Sequence, residues 1–149
     1  MSHSKMNPIM YRWAAILTLL SGAAIYAFFR NTDSMILFRF IPKPGFLDAL
    51  RHNVNVGDYA ASVFVFQGPD TLWFLSGLFF IRSMWLSKKE WMQVYITVFS
   101  VIAIVYELAQ ISPYVPGTFD IKDILFLCIT AFIESVIYHF CARGELNEK

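Results

Sequence analysis

The chain has 149 residues, of which 57% are hydrophobic and only 15% charged. Its mean hydropathy is +0.52. A soluble domain of this length has too little interior to hide that much apolar surface, so the composition points to lipid as the solvent. With 12 basic and 11 acidic residues and a net charge of +1, there is no basic excess of the kind that nucleic-acid binding requires.

Four apolar stretches approach the roughly 20 residues that a helix needs to cross a bilayer. They predict an all-α membrane protein, a single domain over 1–149, with helices at about 10–29, 70–86, 91–110 and 121–141. A long, partly interfacial loop over 30–69 joins the first two. Lys5 and Arg12 precede the first stretch as in a secretion signal. That stretch is long for a signal core and no A-x-A site follows it, so a retained helix is expected. Its small residues Ala14, Thr18, Ser21 and Gly22 offer a packing face, either inside the bundle or towards a partner.

The loop mixes charge with short apolar runs. Residues 35–41 are too short to span and stop at Pro42, so they read as an interfacial segment with Arg39 snorkelling. Residues 63–66 read as a re-entrant piece or the lead-in to the second helix. Gln67, Gly68 and Pro69 are expected to break any preceding helix, with Asp70 capping the next. Ser87 to Glu90 form a tight charged turn, so helices two and three pair as an antiparallel hairpin. Ser112 to Gly117, with two prolines and a glycine, form the next turn, and Thr118 or Asp120 caps the fourth helix.

Tryptophans and tyrosines fall near the ends of these segments, as an aromatic belt would. Counting Lys and Arg on alternate sides puts seven with the N-terminus, the Lys88-Lys89 turn and the C-terminus, and five on the other side. The bias predicts a multi-pass protein with both termini in the cytoplasm.

Ionisable residues within spans are costly and therefore informative. Arg82 lies about 18 Å along the second helix and Glu134 about 20 Å along the fourth, counted from the same side. They are expected to form a structural ion pair, or else Arg82 snorkels and Glu134 finds Tyr138. Asp123, Thr130, Glu134 and Tyr138 form one stripe of the fourth helix, facing the bundle interior.

A second group, Asp70, Glu107, Gln110, Asp120 and Asp123, is expected to converge near the outer surface, with Arg51 reaching it from the loop. Three readings compete for it. The aspartates cap helix starts while Arg39 or Arg51 neutralises Glu107; or the group forms a pocket for a lipid headgroup or other amphiphile; or the carboxylates hold a divalent cation, though no calcium-loop spacing is present. Hydrolase, metalloprotease, P-loop and dinucleotide-binding motifs are absent. His3, His52 and His139 are scattered, and Cys128 and Cys141 read as apolar filler. No metal site and no cofactor is expected, and an enzyme is less favoured than a binding protein.

Tyr106-Glu107-Leu108-Ala109-Gln110, followed by Val115-Pro116-Gly117-Thr118-Phe119-Asp120-Ile121-Lys122-Asp123, resembles the VanZ-like family of bacterial membrane proteins. In that family Glu-x-x-Gln ends one helix, and Phe-Asp-x-x-Asp opens the next after a Pro-Gly loop. Pro69-Asp70-x-x-Trp73 looks like the start of an earlier family helix. The resemblance runs over residues 69–141. It departs at Thr118, where the family often has Arg, and at Leu127 and Thr130, where it often has Asn and Gly. The resemblance implies a four-helix domain of the bacterial inner membrane and a loose link to glycopeptide (teicoplanin) tolerance and envelope properties.

The function expected is an outward-facing acidic and polar site that binds an envelope lipid or lipophilic glycopeptide. The alternatives are an accessory subunit of a larger membrane complex and a membrane-embedded, metal-dependent enzyme acting on lipid phosphates.

Overall fold

The computed structural model describes residues 7–29, 59–115 and 117–144. Among these every regular element is a helix: α1 Pro8–Phe29, α2 Tyr59–Trp85, α3 Lys89–Ala109 and α4 Ile121–Gly144. Three are long and apolar enough to cross a membrane: α1, α2 over Ser62–Trp85, and α3. The fourth, α4, has 24 residues and carries Asp123 in its first turn and Glu134 near its middle.

Helix α1 begins where its sequence says it should. The Asn7 side chain accepts the Ile9 N–H at 2.9 Å, and Pro8 occupies the first turn, where its missing donor costs nothing. The turn between α2 and α3 is closed by the Lys88 N–H on the Trp85 carbonyl at 2.8 Å. At the end of α3, three successive i to i−3 bonds tighten the last turn, from Gln110, Ile111 and Ser112, and satisfy carbonyls that would otherwise be orphaned.

The second helix differs most from expectation. Gln67-Gly68-Pro69 does not end a helix, and Asp70 does not begin one: α2 runs 27 residues without interruption, with Pro69 inside it. Residues 63–66 are part of this helix rather than a separate piece, and the helix starts at Tyr59, well before the expected start at Asp70. Two features accommodate the proline. The Thr71 hydroxyl donates to the Gln67 carbonyl at 2.8 Å, and Pro69 itself is fully buried, so packing fixes the backbone that local preference would break. The expected interfacial segment at 35–41, with Arg39, lies outside the described residues, as does Arg51.

Helix α2 touches all three other helices, and its buried residues lie on two opposite sides, while Phe66, Trp73, Phe80 and Met84 form an exposed face. Against α1 it packs through small residues. The Ser76 hydroxyl donates to the Ala15 carbonyl at 2.8 Å. A Cβ at Gly22 would lie 2.7 Å from the Trp73 ring and 3.1 Å from the Pro69 carbonyl oxygen. The Tyr26 and Trp73 rings stack at 5.7 Å. Of the expected small face of α1, Gly22 packs inside the molecule, Ala14 and Thr18 are partly buried and Ser21 is exposed, while Ala15, outside that set, is buried. Between α2, α3 and α4, Phe74, Leu78 and Leu127 form the buried core, with Phe74 stacked on Phe99 at 5.4 Å.

These contacts make the helices alternate in direction. Tyr11 meets Phe79 while Tyr26 meets Trp73, so α1 and α2 are antiparallel. Trp85 meets Tyr95 while Phe74 meets Phe99, so α2 and α3 are too. The start of α1, the α2–α3 turn and the end of α4 share one end of the bundle. Outside, the surface is apolar: Leu17 and Leu20 of α1, Val98 and Ile102 of α3, and Phe132 and Ile137 of α4 are all exposed. Inside, Gln67, Ser76, Arg82, Ser83 and Glu134 are buried. A hydrocarbon environment rewards that inversion and water punishes it.

Candidate functional site

Two polar groups lie at different heights in the bundle, about 18 Å apart along α2. The lower one is built from Arg82 of α2 and Glu134 of α4, whose side chains are 1% and 3% exposed. The pairing is two-pronged: Arg82 Nε donates to Glu134 Oε1, and Arg82 Nη2 donates to Glu134 Oε2 at 2.6 Å. The guanidinium also lies 3.8 Å from the centre of the Tyr138 ring, and its third nitrogen approaches Met92 Sδ at 3.8 Å. Both Met92 and Tyr138 are buried. A charge this deep is tolerated only with such a shell of partners.

Tyr138 follows Glu134 by one helical turn, and the stripe Asp123, Thr130, Glu134, Tyr138 does face inward: the last two are buried and the first two partly so. Spacing gave that signal. Met92 gave none, because a methionine at the start of a span reads as filler. Just beyond the pair lies an aromatic and basic band, with Trp85 stacked on Tyr95 at 4.7 Å and Lys88 Nζ 5.9 Å from the Trp85 ring.

The upper group forms where α3 ends and α4 begins. Glu107, in the last turn of α3, lies within electrostatic reach of Asp123 of α4 and Asp70 of α2, and Gln110 hydrogen-bonds its carboxyl. Three helices therefore contribute one carboxylate each. Glu107 is partly buried, but its Oε2 is fully enclosed, and no group among the described residues donates to it. Gln110 and Glu107 are one turn apart, which brings the amide to the carboxyl.

Gly117 lets this happen. Its φ is +133°, a region that side chains rarely adopt. The Gln110 amide packs so closely against it that a Cβ there would overlap the side chain.

Asp120 takes a different part. Its Oδ1 accepts the Lys122 N–H at 2.9 Å, and its carbonyl accepts the Asp123 N–H at 3.0 Å, so it caps α4 rather than joining the cluster. Of the two candidate caps, Thr118 is not used. Asp70 is also placed differently from expectation. It lies on the inner stretch of a continuous helix beside the buried Pro69, not at a helix start. Arg51 is outside the described residues. Among the described residues no three His, Cys, Asp or Glu side chains are grouped so as to hold a metal ion.

The shallow groove on α4, lined by Phe132, Ser135, Val136, His139 and Phe140, involves neither polar group. Cys128 is a free, exposed thiol.

Chemically the two groups differ. The lower one is closed and self-neutralised. The upper one brings three carboxylates together and, among the described residues, leaves Glu107 Oε2 without a donor, so it favours a group that brings N–H or O–H donors or positive charge. It would repel a bare phosphate.

Comparison with known proteins adds no relative: no family model, no curated protein and no solved structure matches the chain.

Proposed function

We propose that this chain is a VanZ-like protein of the bacterial inner membrane, and that its upper polar group binds the headgroup of an envelope amphiphile, either a lipid or a lipophilic glycopeptide. The observation that carries this reading is the enclosed Glu107 Oε2, which no described residue serves, set beside Asp70, Asp123 and the Gln110 amide. A headgroup bearing an ammonium, amides or hydroxyls would supply the donor that no described residue gives Glu107 Oε2. A phosphate-only headgroup would not.

In this reading all four helices cross the bilayer. Helix α4, at 24 residues, is about 36 Å long and so exceeds the roughly 30 Å hydrocarbon core. Its one mid-helix charge is matched by Arg82. The end that carries Arg12, Lys88 and Lys89 faces the cytoplasm, which leaves Glu107 and Asp123 towards the outer leaflet.

The test is thermal unfolding of the detergent-purified protein with added ligands. Phosphatidylethanolamine or teicoplanin should raise the midpoint. The same ligands should have no effect on the Glu107→Gln/Asp123→Asn variant. An equal rise in that variant would overturn the site, and an equal rise with phosphatidic acid would overturn the proposed headgroup chemistry.

A further inference from the structure

We infer that Arg82 is the element that admits α4 to the membrane: the fourth helix enters the bilayer paired with the second, not by its own hydropathy. The inference rests on the reading above in which α4 crosses the bilayer.

Three helices are long and apolar enough to span by themselves, and α4 carries Glu134 near its middle. One uncompensated carboxylate at the centre of a span cancels the contribution of about five or more Leu, Ile or Phe residues. Helix α4 also carries Ser135 and His139 in its shallow groove, polar groups that add to the cost of the carboxylate. What offsets the carboxylate comes from elsewhere. Both Glu134 oxygens accept from Arg82, and Arg82, carried by α2, is also engaged by Met92 Sδ of α3 and the Tyr138 ring of α4.

The order of the chain suits this use. Helices α2 and α3 precede α4 and join through a short turn closed at Lys88. They can therefore stand as a hairpin, with Arg82 facing Met92, before α4 arrives.

The two partners are not equivalent. Arg82 is three residues from the end of α2, at Trp85, and without Glu134 its long side chain reaches the interface. Glu134, about 20 Å from the start of α4 and about 15 Å from its end, has no such escape.

The experiment uses the full chain with a topology reporter fused after Lys149: alkaline phosphatase in one series, active outside the cytoplasm, and a fluorescent protein in the other, active inside. The wild-type chain should report the C-terminus inside. If it reports outside, the four-span reading itself fails.

With wild type inside, Arg82→Leu should move at least half of the molecules to the outside signal, while Glu134→Leu should leave the signal unchanged. The double variant Arg82→Leu/Glu134→Leu should restore the wild-type pattern. Degradation of Arg82→Leu with the double variant intact supports the inference equally, because the orphaned carboxylate is then the cause. An Arg82→Leu signal indistinguishable from wild type, or a double variant as defective as Arg82→Leu, would overturn it.

Discussion

The two ends of the bundle treat charge in opposite ways. Near the α2–α3 turn, Arg82 and Glu134 neutralise each other within a shell of Met92 and Tyr138. At the α3–α4 junction, Glu107 faces two further carboxylates and keeps one oxygen enclosed without a donor among the described residues.

The first arrangement recovers the cost of burying charge internally, so its consequences are architectural. The second leaves one enclosed oxygen without a donor among the described residues, a cost that a bound headgroup would offset. Stability and binding therefore separate by position, and substitutions should reveal which is which.

The largest effect is expected at Arg82. Arg82→Met strips Glu134 of both donors and should cost about 3–5 kcal/mol of unfolding free energy, measured by denaturant titration in detergent. Ligand-induced stabilisation, as a fraction of what remains, should persist.

Next is Gly22→Leu, which drives a side chain into the Trp73 ring and the Pro69 carbonyl. About 1–3 kcal/mol should be lost on the same titration.

Asp120→Ala removes the α4 cap and should cost about 1 kcal/mol, with ligand response unchanged. A lost ligand response there would mean that Asp120 belongs to the site after all.

The smallest effect carries the opposite sign. Glu107→Gln removes one of three like charges and should leave the protein as stable as wild type or a few tenths of a kcal/mol more so, while abolishing ligand-induced stabilisation. Destabilisation by more than about 1 kcal/mol would make Glu107 a structural residue and dissolve the contrast between the two ends.

How much of this was legible in the sequence depends on the range of the forces involved. Hydropathy placed α1, α3 and α4 within a few residues, because each is a long, mainly apolar run with a recognisable turn beside it, α4 being broken by Glu134 near its middle. The similar depths of Arg82 and Glu134 followed from helical rise and alternating direction alone, and the structure has the two side chains in contact.

The start of α2 was not legible. Gly68-Pro69 is a strong local breaker, but the close approach allowed by Gly22 and the burial of Pro69 override it. Tertiary packing of that kind leaves no local mark.

The acidic group was partly legible. Glu107 and Gln110 share a helix face by spacing, and Asp123 opens the next helix. Asp120 has the same chemistry but is consumed as a cap, and only backbone geometry separates the two aspartates. The need for glycine at 117 was also hidden. A Pro-Gly pair announces a turn, but not that the Gln110 amide lies against it.

The most direct measurement is native mass spectrometry of the protein released from its membrane in mild detergent. The account predicts that the wild-type chain retains an amphiphile with a donor-bearing headgroup, and that Glu107→Gln/Asp123→Asn, folded and equally abundant, retains none. Identical retained species in both proteins would contradict it.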